Sequence, residues 1–309
     1  MTFLKDMTEI INNIARKQLL SDPGYDDGFG VMGVNDAKGR ENLGYFTYGG
    51  AVDAKNKSVW QIGQWGGSGD LSASAEKEIS KGVWQYSAGG KCVTVNRNSG
   101  AVTLAADARK EYAHLRKNGE GWVHVMIEQN FSVPAPFSSL KHLFVTLDYS
   151  IDKCDNYCGD GYDKELHAAQ ITLYFTLCNQ PEKTEKDPVT GEWSHGRYNE
   201  YLWFGVPIFD NRKPYQAAAS VYDAGTSSFI SSIDTRKYQT EQPVAGKRYR
   251  IEYDVLSDVC SAVKMAKDKG VLKNVDEKNM VFTYMNFGWE VPGTFDVSLT
   301  INKIRIEAE

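Results

Sequence analysis

From residue 23 onward the chain is dominated by short stretches in which apolar and polar residues alternate. Successive residues of a strand point to opposite faces, so this alternation marks half-buried strands. It predicts strands at 43–48, 58–64, 82–86, 91–96, 101–105, 121–130, 142–151, 168–178, 200–209, 228–233, 247–256, 280–286 and 294–307. Asn96-Arg97-Asn98-Ser99-Gly100 reads as a hairpin turn between two of them. Many short strands with Gly-rich turns predict an all-β fold, an antiparallel β-sandwich of jelly-roll type, rather than a strand–helix–strand protein.

Two segments carry a helical period instead. Phe3, Leu4, Met7, Ile10, Ile11, Ile14 and Leu19 recur at three- and four-residue spacing over 3–20. Thr2 is placed to cap that helix, and Asp22-Pro23-Gly24 to stop it. The stripe predicts an N-terminal helix, within residues 1–22, docked on one sandwich domain of residues 23–309. A helix that binds a partner is the other reading. A further helix is expected near 257–270, with Asp258 as cap, Val259, Val263 and Met265 or Ala266 inward, and Gly270 at its end. No solenoid or propeller repeat is visible, and no low-complexity linker.

Strand parity sorts the residues into faces. Ile171, Leu173, Phe175 and Leu177 oppose Gln170, Thr172, Tyr174 and Thr176. Val123, Val125 and Ile127 oppose Trp122, His124, Met126, Glu128 and Asn130. Leu202, Phe204 and Val206 oppose Tyr201 and Trp203, while Tyr284 and Asn286 oppose Thr283, Met285 and Phe287. Leu143, Val145, Leu147 and Tyr149 oppose Phe144, Thr146, Asp148 and Ser150. At least four strands therefore carry an aromatic on a polar face. Sugars present flat C–H patches rimmed by hydroxyls, so a sugar site needs rings to stack and amides or carboxylates to read the rim. Trp122, Tyr174, Tyr201 and Trp203 are the expected platform, with His124, Glu128, Gln170 and Asn286 as readers. The competing reading covers these aromatics with the N-terminal helix or a long loop, as an additional small core.

Composition narrows the partner. The 309 residues are 41% hydrophobic and 12% aromatic, with 17 Tyr and 7 Trp, so rings for stacking are plentiful. The formal charge of −5, without any run of Lys and Arg, argues against nucleic acid. No apolar stretch approaches the ~18 residues of a membrane span. The expected partner is thus an oligo- or polysaccharide. Lys5, Asp6 and Glu9 interrupt any signal-peptide core, which fits a cytoplasmic chain as written, or a secreted one that has lost its leader. Five cysteines at irregular spacing are no disulfide framework; only Cys154 and Cys158 are close enough in sequence to pair under oxidising conditions.

Two stretches, Glu200-Tyr-Leu-Trp-Phe-Gly-Val-Pro-Ile-Phe-Asp-Asn-Arg212 and Met285-Asn-Phe-Gly-Trp-Glu-Val-Pro-Gly-Thr-Phe-Asp-Val-Ser-Leu-Thr-Ile-Asn-Lys-Ile-Arg-Ile-Glu307, carry a resemblance. Their pattern resembles the jelly-roll carbohydrate-recognition proteins: concanavalin A-like lectins and glucanases, and β-sandwich carbohydrate-binding modules. The stretch 285–307 is similar to the closing strand of such modules after a Pro-Gly corner. The resemblance spans about the last two-thirds of the chain and implies glycan binding, or glycoside hydrolysis or polysaccharide lysis. The Glu-x-Asp-x-x-Glu strand of laminarinase-type glucanases has only a partial counterpart, Glu252-Tyr253-Asp254 with Ser257 in the last place.

Catalysis has several candidates by residue type. Hydrolysis needs two carboxylates about 5–10 Å apart. Glu128 and Asp148 meet this if their strands are neighbours, and Glu290 and Asp210 stand at strand ends. A lyase needs a Tyr or His base with an Arg or Asn to neutralise the substrate carboxylate; His124, Tyr174, Tyr201 and Arg212 fit those roles. Asp152, Asp155, Asn156, Asp160, Asp163 and Glu165 cluster in one connection around Gly159 and Gly161. Such oxygen donors suit Ca2+, although the spacing is not an EF-hand; a solvated acidic loop is the alternative. Another polar connection, 179–199, follows the strand at 168–178. Gly28-Phe29-Gly30 and Gly66 to Gly69 do not lead a strand into a helix, so they are not phosphate loops. Gly-x-Ser-x-Gly and His-Glu-x-x-His are absent.

Overall fold

The computed structural model describes residues 16–34, 41–179, 201–223, 228–273 and 275–309, the side chains of Val133 and Pro134 excepted. Two large sheets form among these residues. One runs in the order β15 (Lys247–Asp254), β10 (Leu143–Asn156), β17 (Phe295–Ala308), β8 (Ala101–Asp107), β7 (Lys91–Asn96), β6 (Val83–Ala88) and β5 (Lys77–Ser80), and the two-residue β1 (Lys17–Gln18) also pairs with β17. The other runs β13 (Ala219–Asp223), β14 (Ser228–Ser232), β12 (Tyr201–Asp210), β11 (Gln170–Asn179), β16 (Met280–Val291), β9 (Val123–Pro136), β4 (Trp60–Gly63), β2 (Phe29–Met32) and β3 (Asn42–Phe46). Pairing is antiparallel except for β12 with β14 and β2 with β4, which are parallel. The nine-stranded sheet is thus mixed rather than purely antiparallel. Helix α1 (Ala54–Lys57) is one turn, and α2 (Leu256–Asp268) is the helix expected near 257–270.

Alternation explains the sandwich. Leu143, Val145, Leu147 and Ile151 of β10, with Val297, Leu299 and Ile301 of β17, share one continuous apolar core with Ile171, Leu173, Phe175 and Leu177 of β11. Each of these is fully buried. The 96–100 hairpin closes through a Gly100 N–H to Asn96 carbonyl bond of 2.9 Å.

Several elements depart from the sequence pattern. The expected 3–20 helix lies mostly outside the described residues, but its end is extended: Lys17 and Gln18 pair with Ala308 and Glu307. The Gln18 side-chain oxygen accepts from Ile306 N at 2.9 Å, and Arg16 lies 3.5 Å over the Phe144 ring. Asp258 does not cap α2. It sits in the first turn and takes bonds from Lys237 Nζ and the Tyr253 hydroxyl, while Val255 holds the cap position. Of the two inward candidates, Ala266 is buried and Met265 exposed. Strands β2, β5 and β13 lack the alternation that reveals a half-buried strand: β2 is buried along its length, β5 is exposed along its length, and β13 is a mostly exposed edge. The thiols of Cys154 and Cys158 are free, and burial pushes the Cys154 thiol up to about 12.

Lys91 shares the parity of Val93 and Val95 and so projects between the sheets at their end, fully buried. Burial lowers its ammonium to about 8, against the opposing pull of Glu111 and Asp70. The unfolded chain keeps that proton to about 10.4. Between these values the unfolded state binds more protons, so the contribution of Lys91 to stability rises with pH across that window. Urea midpoints from pH 7 to 10.5 are expected to climb in the wild type relative to Lys91→Gln. Parallel curves would show that the buried ammonium is not penalised.

Candidate functional site

The outer face of the nine-stranded sheet is organised in rungs by its registry. Residues paired across strands share a face, and successive rungs lie about 6.7 Å apart. The end rung is polar: Asp210, Gln170, Glu290 and His124 are in register across β12, β11, β16 and β9. The next rung holds Thr172, Gly288, Met126 and Gly63. The central rung is Gly205, Tyr174, Asn286, Glu128 and Gln61. Beyond it lies a rung of Asn130, Tyr284, Thr176, Trp203, Ile230 and Val221, which is aromatic and apolar toward the β13 edge of the sheet.

The end rung is a connected chain. Arg212 holds Asp210 through two bonds, Nε to Oδ1 at 2.8 Å and Nη2 to Oδ2 at 2.7 Å, and Asp210 in turn raises the guanidinium pKa. Arg212 Nη2 also reaches Gln170 Oε1 at 3.2 Å, and Gln170 Nε2 donates to Glu290 Oε2 at 2.8 Å. His124 Nδ1 donates to the Trp122 carbonyl at 2.8 Å, because a carbonyl can only accept. That leaves Nε2 facing Glu290 Oε1 at 3.6 Å.

Two glycines shape the centre. An added Cβ on Gly205 would stand 3.0 Å from Tyr174 Cε1, so the missing side chain makes room for that ring. One on Gly63 would stand 2.9 Å from Glu128 Oε1 and 3.1 Å from Trp65 Cη2. Glu128 and Trp65 therefore converge over Gly63. Tyr174 and Tyr284 each meet the Trp203 ring edge-on, at 5.7 and 6.0 Å. Burial raises the Tyr174 phenol pKa, and Glu290 raises it further. Glu128 and Asn286 are buried. Asn286 Nδ2 donates to the Tyr284 hydroxyl at 3.4 Å, whereas its Oδ1 is buried with no hydrogen-bond partner among the described residues.

Gln170, Tyr174, Trp203, Asn286, Glu128 and His124 thus lie on one face. Tyr201 shares it, with its hydroxyl 2.7 Å from Ser228 Oγ. Trp122 stands just before β9, exposed, its ring 6.4 Å from that of His124. The expected pairing of Glu128 with Asp148 fails, because β10 belongs to the other sheet. Asp148 is bound there by Arg248 at 2.6 and 2.7 Å, which lowers its pKa. Glu252 and Asp254 are also on that other sheet, on β15, engaged by Arg16 and His142. Of the lyase candidates, Arg212 is paired with Asp210, and burial raises the Tyr174 phenol pKa.

The acidic connection does not gather its carboxylates. Asp152 accepts from Thr300 Oγ1 at 2.7 Å on β17; Asp155 is exposed on β10; Asp160 is exposed in the short turn 159–161; Asp163 accepts from Glu165 N at 2.9 Å. Among the described residues no three His, Cys, Asp or Glu side chains are grouped to hold a metal ion. No helix among them is long and apolar enough to cross a membrane. Trp65 joins the face without any sign of it in strand parity. It lies in the Gly-rich 64–70 segment outside any alternating stretch, and its only signal is an aromatic set among glycines next to a strand.

The chain matches no protein-family model and no curated protein sequence. Among solved structures it is similar to β-jelly-roll glycoside hydrolases of family 12. A cellulase derived from Cel12A of Rhodothermus marinus is 10% identical, covering 81% of this chain and 99% of that one, with a TM-score of 0.45. The family 12 xyloglucanase of Bacillus licheniformis is 12% identical, covering 80% and 100%, with a TM-score of 0.41. The xyloglucanase domain of NopAA from Sinorhizobium fredii, solved with cellobiose, is 8% identical, covering 78% and 99%, with a TM-score of 0.40. Function resides in sites rather than folds, so similarity of this order assigns no activity.

Proposed function

We propose that the outer face of the nine-stranded sheet binds a glycan chain. Trp203 and Tyr174 stack on the sugar rings, and Asn286, Glu128, Gln61 and Gln170 read the hydroxyls. The observation that carries this is Asn286 Oδ1, a buried acceptor without a partner among the described residues, between Tyr174 and Glu128 in the central rung. Such a group costs about 1–3 kcal/mol if nothing donates to it. A sugar hydroxyl would supply that donor, with the Tyr174 ring beside it across the strands and the Tyr284 hydroxyl on the amide nitrogen. Calorimetric titration with cellohexaose and a wider glycan array tests the reading. Asn286→Leu is expected to fold with an unchanged midpoint, since an apolar side chain removes the unmet acceptor, and to bind at least tenfold more weakly. Silence across the array would overturn the reading.

Hydrolysis is the alternative. Retaining chemistry asks for carboxylates about 5–5.5 Å apart, the spacing of direct cross-strand neighbours. The neighbours of Glu290 are Gln170 and His124, and those of Glu128 are Asn286 and Gln61. Each carboxylate is therefore flanked by groups that cannot act as its carboxylate partner. Glu128 and Glu290 start about 14 Å apart at Cα, four residues along and one strand across. What favours this reading is that Glu128 leans over Gly63, toward the end rung. Reducing-sugar release that disappears in Glu128→Gln and Glu290→Gln, with binding retained, would establish hydrolysis.

A further inference from the structure

A dense cluster of buried polar groups lies under residues 64–70. Lys91 Nζ donates to the carbonyls of Gln64, Gly66 and Gly69 at 2.9, 2.7 and 3.1 Å. Glu111 answers from the other side: Oε2 accepts from Ser68 N at 2.7 Å and Gly69 N at 2.8 Å, and Oε1 from Gly90 N at 2.5 Å. Both side chains are buried. Gly66 and Gly67 are left-handed, and a Cβ on Gly66 would stand 1.9 Å from the Trp122 carbonyl oxygen. The segment therefore wraps two opposite charges closely. Glu111 and Asp70 are the charged groups acting on Lys91.

Burying an ammonium and a carboxylate is a poor way to gain stability, because desolvation offsets their attraction. What the pair offers is direction, with six main-chain bonds of which five end on the 64–69 backbone. Lys91 holds the carbonyls on both sides of Trp65, and Trp65's own carbonyl accepts from His124 N at 2.8 Å. The backbone of Trp65 is thereby fixed from below and from the face itself. Its ring stands 5.5 Å from that of His124, and Cη2 reaches over Gly63 beside Glu128.

We propose that Lys91 and Glu111 are positioning residues of the glycan face: a buried clamp that fixes residues 64–70 so that Trp65 forms an aromatic wall beside Glu128 and His124. The glycan role of that wall rests on the reading under Proposed function; the clamp itself does not.

The test combines a double-mutant cycle with a spectroscopic reporter, on the full chain labelled with 5-fluorotryptophan. The Trp65 resonance is assigned with Trp65→Phe. Glu111→Gln sets an amide NH2 against a main-chain N–H, and Lys91→Gln, with two donors for three carbonyls, serves if that variant does not fold. The folded variant is expected to shift the Trp65 resonance and to weaken cellohexaose binding at least tenfold. In a Trp65→Ala background the same change is expected to cost less than twofold, because its effect passes through the ring. An equal loss in both backgrounds, or an unmoved Trp65 resonance, would overturn the proposal. A shifted resonance in a protein that binds no glycan would uphold the clamp and overturn the glycan reading instead.

Discussion

Trp203→Ala is expected to remove glycan binding, with an affinity loss of at least about thirtyfold, the scale of a central aromatic anchor. Its neighbour Phe204→Ala is expected to do the reverse. Phe204 is fully buried between the sheets, whereas Trp203 is half-buried on the outer face among Tyr174 and Tyr284. Truncating a core aromatic costs about 3–5 kcal/mol. Truncating Trp203 loses only the area it shares with two edge-on rings, about 1–2 kcal/mol. Urea midpoints and cellohexaose titrations of both variants separate the two roles. A folded Trp203→Ala protein with wild-type affinity would remove the platform. A midpoint drop matching that of Phe204→Ala would place Trp203 in the core.

That contrast is legible in the sequence because parity is local. Leu202, Trp203 and Phe204 must alternate whichever strands lie beside them, and the same rule puts Gln170, Tyr174, Glu128 and Asn286 on outward positions. What parity cannot tell is which sheet a strand joins. Asp148 has the outward parity of a site residue, yet β10 pairs with β17 and β15, so its carboxylate faces away on the other side of the sandwich. Pairing is decided by contacts about a hundred residues or more distant, and nothing within 142–151 records them. The acidic connection fails for a related reason. Residues 152–156 continue β10, where a register shift turns Asp152 onto Ser298 and Thr300 of β17, while Asp160 and Asp163 lie beyond the strand's end. The end of the 3–20 stripe fails differently. Leu19 and Leu20 are buried as a helical face would be, but pairing with β17 and the Gln18 bond to Ile306 N hold residues 17–18 extended. Trp65 is invisible to parity because what places it is a lysine and a glutamate that are distant in sequence and of types that normally lie at the surface.

Gly205→Val is the sharpest test of how the central rung is built. Gly205 is the cross-strand partner of Tyr174, and its missing side chain leaves the space the ring fills. A Cβ there would stand 2.6 Å from Ser232 Oγ and 3.0 Å from Tyr174 Cε1. The Ser232 hydroxyl can rotate aside. The Tyr174 ring cannot, because Trp203 stands against it at 5.7 Å. Valine adds two methyl groups to that clash, so the ring must leave its position over β12. Overpacking of this kind costs about 1–3 kcal/mol. Glycan affinity is expected to fall more than tenfold, since the displaced ring no longer flanks Asn286. The strain has a specific partner, so it should be relieved by removing that partner. In the Tyr174→Ala background, Gly205→Val is expected to lower the urea midpoint by less than half of what it costs in the wild type. If the cost is the same in both backgrounds, the glycine is required by the strand backbone or by Ser232, and Tyr174 is not held by the space above it.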